Sequence, residues 1–189
     1  MLYKFLSGLA KGVTHCIFRV KVVGKENVPK DGGMILAVNH KSNWDPIFAG
    51  AYCPRPLRFM AKADLFKNKL FGGLIKKLGA FPIQRGRGDI GAIKGAFSIL
   101  KNNDAMLIFP EGHRIKNGKR VKAKLGVSMI AVYAKVPVIP LCISGEYKPF
   151  HKVTVTFGKP ITFEEYYGKK PDNETLQTLA DEVMQTIYS

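Results

Sequence analysis

Acidic side chains are scarce in this chain: fourteen Asp and Glu stand against thirty Lys and Arg, leaving a net charge of +16. Such a balance points to anionic partners, phosphate-bearing ligands and anionic lipid surfaces among them. Cysteine is scarce too. Cys16, Cys53 and Cys142 are an odd, widely spaced set without a CxxC pair, which excludes a disulfide framework and the usual zinc spacing and fits a cytosol-facing chain with no resident metal. Cys142, inside the apolar run 138–143, reads as a small hydrophobe rather than a nucleophile. Repeats, linkers and low-complexity tracts are missing, so 189 residues form one domain with a substantial core.

The positive charge is unevenly placed. Residues 61–124 hold fifteen basic and four acidic side chains, whereas residues 125–189 hold six and seven. Nucleic acid is the competing partner for so basic a chain. Against it, the basic residues interleave with strand and helix hydrophobics, and no zinc, RNA-recognition or helix-turn-helix pattern is present.

An uninterrupted apolar run of the roughly twenty residues a membrane span needs is also lacking. The nearest candidate is residues 1–20. At about 100° per residue, Leu2, Phe5, Leu6, Leu9, Val13, Cys16, Ile17 and Val20 fall within an arc of about 120°, with Lys4, Lys11, His15 and Arg19 outside it. This is an amphipathic helix. It lies in a membrane interface, packs its apolar face on the domain formed by residues 21–189, or does both if it covers the mouth of the site.

Short apolar strands alternate with helical stretches through that domain, which predicts an α/β fold. Strands are expected at Arg19–Val23, Met34–Val38, Leu57–Ala61, Ala80–Ile83, Ala105–Phe109, Val138–Ser144 and Lys152–Phe157. Helices are expected from Pro46, and at Asn68–Leu78, Asp89–Asn102, Leu125–Lys135 and Asp172–Tyr188.

Between the second strand and the helix from Pro46 stands Asn39-His40-Lys41-Ser42-Asn43-Trp44-Asp45. Residues five apart on a helix point about 140° away from each other, so His40 and Asp45 meet only if residues 40–45 form a loop. Pro46 disfavours helical backbone at Asp45, which makes Asp45 the expected N-cap and Pro46 the first helical position. A histidine oriented by a carboxylate can take a proton from an attacking hydroxyl; equally, Asp45 can serve only as a cap beside an unrelated histidine. About seventy residues later comes Phe109-Pro110-Glu111-Gly112-His113-Arg114, a glutamate and an arginine beside a glycine turn.

Four ordered blocks between about residue 30 and about residue 160 resemble the glycerolipid acyltransferase family, in particular its bacterial 1-acyl-glycerol-3-phosphate acyltransferases. Asn39-His40-x-Ser42-x-x-Asp45 matches the first block at each signature position. Gly79 to Arg85 is similar to the block that ends in a substrate-binding arginine, and Val136 to Pro140 to a structural strand near the acyl site. The Glu-Gly-x-Arg block keeps Glu111, Gly112 and Arg114 but carries His113 and Ile115 where the family has Thr and Ser.

The resemblance implies a mixed central sheet flanked by helices, of the glycerol-3-phosphate acyltransferase type. It implies direct transfer from acyl carrier protein or coenzyme A to lysophosphatidic acid, without an acyl-enzyme, a metal or another cofactor. His40 would be the base and Asp45 its orienting partner. Asn39 and Ser42 would support the loop. Lys62, Arg85 and Arg114 would face the acceptor's phosphate, and Glu111, beside Gly112, would face glycerol oxygens or neighbouring residues. Lys62 also reads as an ordinary solvated lysine. The expected place is the cytoplasmic face of the membrane, in peripheral or monotopic attachment to anionic lipid. Glycerol-3-phosphate or another lysophospholipid is the alternative acceptor; a basic membrane- or nucleic-acid-binding protein is the alternative without turnover.

Overall fold

Met34-Ile35-Leu36-Ala37-Val38 is apolar at each position because it is covered on both sides, the pattern of a central strand in a mostly parallel sheet. In the structure, a computed structural model that describes residues 2–83, 90–115 and 121–189, this strand (β2) pairs in parallel with two neighbours. The strands are β1 (Arg19–Val23), β2 (Met34–Val38), β3 (Leu57–Lys62), β4 (Ala80–Ile83), β5 (Ala105–Ile108), β6 (Val138–Gly145) and β7 (Lys152–Phe157). Their order across the sheet is β1-β7-β6-β2-β5-β3-β4, with β6 and β7 antiparallel and the other pairs parallel. The expected mixed α/β sheet is therefore found, with each expected strand within a residue of its predicted ends.

The helices are α1 (Leu2–Ile17), α2 (Asp45–Tyr52), α3 (Lys69–Lys77), α4 (Ile90–Lys101), α5 (Gly126–Ala134) and α6 (Asn173–Tyr188). Alternate β2 residues feed two cores. Met34, Leu36 and Val38 pack with Phe18, Phe48 and Tyr52 on the α1/α2 side, and Ile35 and Ala37 pack with Ala96, Ile130 and Val183 on the α4/α5/α6 side.

Connections leave β2 and its neighbour β5 in opposite directions: β2 runs by way of α2 toward β3, while β5 runs by way of α5 to β6, across β2. Loops after such strands diverge and leave a crevice at their carboxyl ends, where open α/β sheets bind ligands. Residues 39–45 follow β2, residues 109–115 follow β5, and Glu146 and Tyr147 follow β6.

α1 is oriented against the simplest expectation for an amphipathic helix. Its inward face is Tyr3, Ser7, Ala10 and Thr14, and its hydroxyls satisfy groups at the end of α2: Ser7 Oγ donates to Gly50 O at 3.2 Å, and Thr14 Oγ1 lies 2.7 Å from Tyr52 Oη. Tyr3 Oη accepts from Leu57 N–H at 3.1 Å. Polar contacts thus fix the helix, and most of the apolar arc points away from the sheet: Phe5 is 69% exposed and Leu9 56%. The alternative that this arc packs on the domain is corrected for Leu2, Phe5, Leu9, Val13 and Cys16. The helix ends at Ile17 rather than at residue 20, because Phe18 is buried and Arg19 begins β1.

Candidate active site

The chain leaves β2 through Asn39, whose side chain mimics a peptide unit. Its amide donates to Ile143 O at 3.0 Å and accepts from Ile143 N–H at 2.7 Å, which fixes the exit direction beside β6. The loop then folds back on itself. His40 Nδ1 lies 2.9 Å from Asp45 Oδ2, and the same oxygen accepts the Lys41 N–H at 2.7 Å and the Ser42 N–H at 2.6 Å. Asp45 Oδ1 accepts the Tyr147 hydroxyl. Asp45 is fully buried and serves as acceptor at both of its oxygens. Facing that acceptor, Nδ1 carries a proton, and Nε2 is the ring nitrogen with a lone pair to offer.

Two consequences follow from these bonds. Asp45 is not the N-cap: Trp44 holds that position with helical backbone, and Asp45 and Pro46 are already inside α2. The carboxylate reaches back to loop amides instead of forward to helix amides, which is why the expected cap is absent. Second, the Lys41 and Ser42 N–H groups are committed to Asp45, so neither is available to a developing oxyanion. Ser42 Oγ itself accepts the Trp44 N–H at 3.3 Å, a loop contact.

The second motif wraps around the first. Phe109 to Gly112 make a turn closed by Gly112 N–H to Phe109 O at 3.0 Å, with Gly112 at φ +73°, a backbone that favours glycine. The Phe109 ring stacks on the His40 imidazole, centroids 4.0 Å apart and planes 21° apart. Glu111 Oε1 accepts the His40 N–H at 3.1 Å and the Tyr188 hydroxyl at 2.9 Å, and the Ile115 N–H donates to His40 O at 2.8 Å. Both backbone groups of His40 are thus held by the loop after β5. Arg114 Nη1 adds a bond to Asn43 Oδ1 at 2.8 Å. Ile115 works through its backbone, so its departure from the family's serine leaves this tie intact.

Glu111 is fully buried, with Oε1 bonded to neighbouring residues; in this structure it presents no surface to an acceptor's glycerol oxygens. Burial raises its carboxyl above the usual range, against the hydrogen bonds from Tyr188 and His40. Among the described residues Oε2 has no hydrogen-bond partner.

Lys62 ends β3 and is exposed, paired with Asp64 at 2.6 Å; hydrogen bonds from Lys62 and Lys67 pull the Asp64 carboxyl down to about 2. Lys62 stands in register with Ile83 at the end of β4. Arg85 lies outside the described residues. His113 is exposed at the turn.

Tyr147, Tyr188 and Lys41 belong to the cluster but carry no signal in the sequence. Tyr147 follows β6 by way of Gly145, at φ +100°, and no spacing relates it to Asp45. Lys41 Nζ donates to Gly145 O at 2.6 Å and sits 4.8 Å from the Tyr147 ring centroid, with its pKa lowered by burial against the field of Asp45. Burial, then the charge and hydrogen bond of Asp45, raise the Tyr147 phenol, so it remains a donor.

Tyr147→Phe keeps the ring packed on Phe18 and Phe48 and removes one donor from Asp45. With one hydrogen bond fewer holding that carboxylate against Nδ1, kcat should fall by up to about tenfold with KM little changed. A kcat equal to that of the parent in the folded variant would show that Tyr147 does not position the pair.

The acyltransferase family model matches residues 19–144. The chain is 31% identical to a 1-acyl-sn-glycerol-3-phosphate acyltransferase of Bacillus subtilis, over 98% of this chain and 95% of the relative. It is 34% identical to the enzyme of the same description from Streptococcus pneumoniae, over 97% of this chain and 70% of the relative. Among solved structures, the 1-acyl-sn-glycerophosphate (LPA) acyltransferase PlsC from Thermotoga maritima matches with a TM-score of 0.78 and 28% identity, over 98% of this chain and 77% of that one. The matched segment begins at β1, contains both interlocked loops and ends in β6, and with relatives that align over nearly the whole chain it establishes that this chain belongs to the acyltransferase family.

Proposed function

We propose that this protein transfers a fatty acyl group from a thioester, on acyl carrier protein or coenzyme A, to the free hydroxyl of lysophosphatidic acid. The observation that carries the reading is His40, which is held at both backbone groups by the Glu111 loop and at Nδ1 by Asp45, leaving Nε2 for chemistry. Nε2 takes the proton of the acceptor hydroxyl as its oxygen attacks the thioester carbonyl. The C–S bond then breaks and the thiolate leaves with that proton from the imidazolium. Asp45 stabilises the imidazolium between the two transfers. Proton transfer and a thioester leaving group carry this step without a metal.

Lys62, Arg85 and Arg114 are the proposed cations for the acceptor's phosphate. In the first turn of α2, Pro46 and Ile47 line an apolar cavity of about 200 Å³ with Leu6, Leu57, Phe59 and Leu107, a setting that suits an acyl chain. Transfer of labelled acyl groups from each thioester to a panel of acceptors tests the reading. Lysophosphatidic acid should give the highest kcat/KM; a preference for glycerol-3-phosphate or another lysophospholipid would replace it.

We also propose that the protein works at the surface of an anionic membrane, on its cytoplasmic face. No helix among the described residues is long and apolar enough to cross a membrane, and the outward arc of α1 supports attachment in the interface. Removing residues 1–20 would delete Phe18 and part of β1 from the core, so the informative variant is Phe5→Ser with Leu9→Ser and Val13→Ser. It should lower vesicle binding about tenfold and leave activity on a short-chain, water-soluble acceptor unchanged. Equal vesicle binding by the folded variant would place the contact elsewhere.

A further inference from the structure

α3 repeats the inverted arrangement of α1. Its inner face is Gly72, pressed so closely on Phe66 that an added Cβ would lie 2.8 Å from Phe66 Cα, and Ile75, packed with Ala61 and Ala80. Its outer face carries Leu70, 89% exposed, with Phe71 at 48% and Leu74 at 43%. Leu70 and Leu74 are one turn apart and Phe71 lies beside them, so the three form one stripe. The orientation is fixed at its start, where Asn68 Oδ1 accepts from Leu70 N–H at 3.1 Å and Phe71 N–H at 3.0 Å.

α3 lies on the same side of the sheet as α1. Phe59, which belongs to the α1/α2 side of the sheet, packs against the cluster of Ala61, Ile75 and Ala80. Leu78, which caps α3, lines the same cavity as Leu6 of α1 and Ile47 of α2. Exposed lysines lie in and just before α3: Lys69, Lys76 and Lys77, with Lys67 in an ion pair with Asp64. We propose that α3 is a second lipid-contacting helix, and that α1, the first turn of α2 and α3 dock together on an anionic bilayer. An acidic carrier protein would answer the lysines but would leave unmatched the exposed apolar residues that α3 and α1 both carry on this side of the sheet. Two helices at different places on one face set the tilt of the domain as one alone cannot, and the His40 loop leads directly into α2 on that side. The proposal rests on the reading of the chain as an enzyme of membrane-borne acceptors.

The test uses the full chain and vesicles of phosphatidylcholine with phosphatidylglycerol. Leu70→Ser with Phe71→Ser and Leu74→Ser should cut vesicle partitioning about tenfold, with α1 unchanged and activity on a water-soluble acceptor retained. Leu70→Trp adds a second tryptophan to Trp44, and its additional emission should be quenched by lipids brominated in their acyl chains. Partitioning should rise with the phosphatidylglycerol fraction and fall with salt. Parent-like partitioning of the triple variant, or an added tryptophan that brominated lipid leaves unquenched, overturns the proposal. A triple variant that partitions normally but raises KM for the carrier-protein thioester assigns the face to the carrier instead. Acyl transfer by a chain that fails to bind vesicles overturns the surface alone; quenching of the added indole without any transfer overturns the catalytic reading and upholds the surface.

Discussion

His40→Ala is expected to lower turnover by about 100-fold to 10,000-fold, the usual span for loss of a general base, and to leave the fold in place. The second half of that expectation comes from how the residue is held. His40 is anchored by its own N–H and C=O, to Glu111 and Ile115, and these bonds persist whatever side chain it bears. The side chain itself contacts Asp45 and Phe109. After truncation Asp45 keeps the Lys41 and Ser42 amides and the Tyr147 hydroxyl, so no buried charge is stranded. The measurement is initial rates of labelled acyl transfer beside a thermal melt. A variant that melts like the parent and turns over like the parent assigns the base to another residue.

Glu111→Ala should cost both activity and stability. It takes the acceptor from the half-buried His40 N–H, a loss of about 1 kcal/mol or more for such a group. It also releases the loop that sets the position of the imidazole, for which a displacement of about 1 Å lowers rates on the order of 100-fold. Glu111→Gln separates hydrogen bonding from charge. Its carbonyl oxygen can still accept from His40 and Tyr188, so turnover should return to within about tenfold of the parent. A glutamine variant as inactive as alanine, yet folded, would mean that the carboxylate acts on the acceptor by its charge.

The same residue gives a pH signature. Burial raises the folded-state pKa of Glu111 above its unfolded value, so its ionised form is disfavoured in the fold. The stability linked to it is fully present below the ordinary glutamate value and is lost as pH rises through the raised value. Glu111→Gln should remove that decline, seen as a flatter dependence of melting temperature on pH from the ordinary glutamate range upward. An unchanged slope would mean that the carboxylate finds a compensating partner.

Much of the fold was legible along the chain because its signals are local. Met34–Val38 is apolar throughout because it is covered twice, and Asn68 and Asp172 cap their helices through neighbours two or three residues away. The His40–Asp45 pair was legible for the same reason: loop closure over five residues is decided within the loop. The assignment of Asp45 as a cap failed because Tyr147, from the end of β6, and the loop amides compete for its oxygens. No local signal carries a partner 102 residues away.

By itself the sequence determined the alternation of strands and helices, the two motifs and the amphipathic character of α1, all of which depend on residues within a few positions of each other. Only the tertiary structure decided how these parts face. Placing β5 and β6 on either side of β2 decided between the two expected partners of Glu111 in favour of neighbouring residues, making it a buried anchor for His40, and brought Tyr147 and Tyr188 into the cluster. Hydrogen bonds between Tyr3, Ser7 and Thr14 and groups of α2 and β3 turned the apolar arc of α1 outward. Periodicity states that a helix has two unlike faces; which face meets the protein is settled by the partners waiting on the other side.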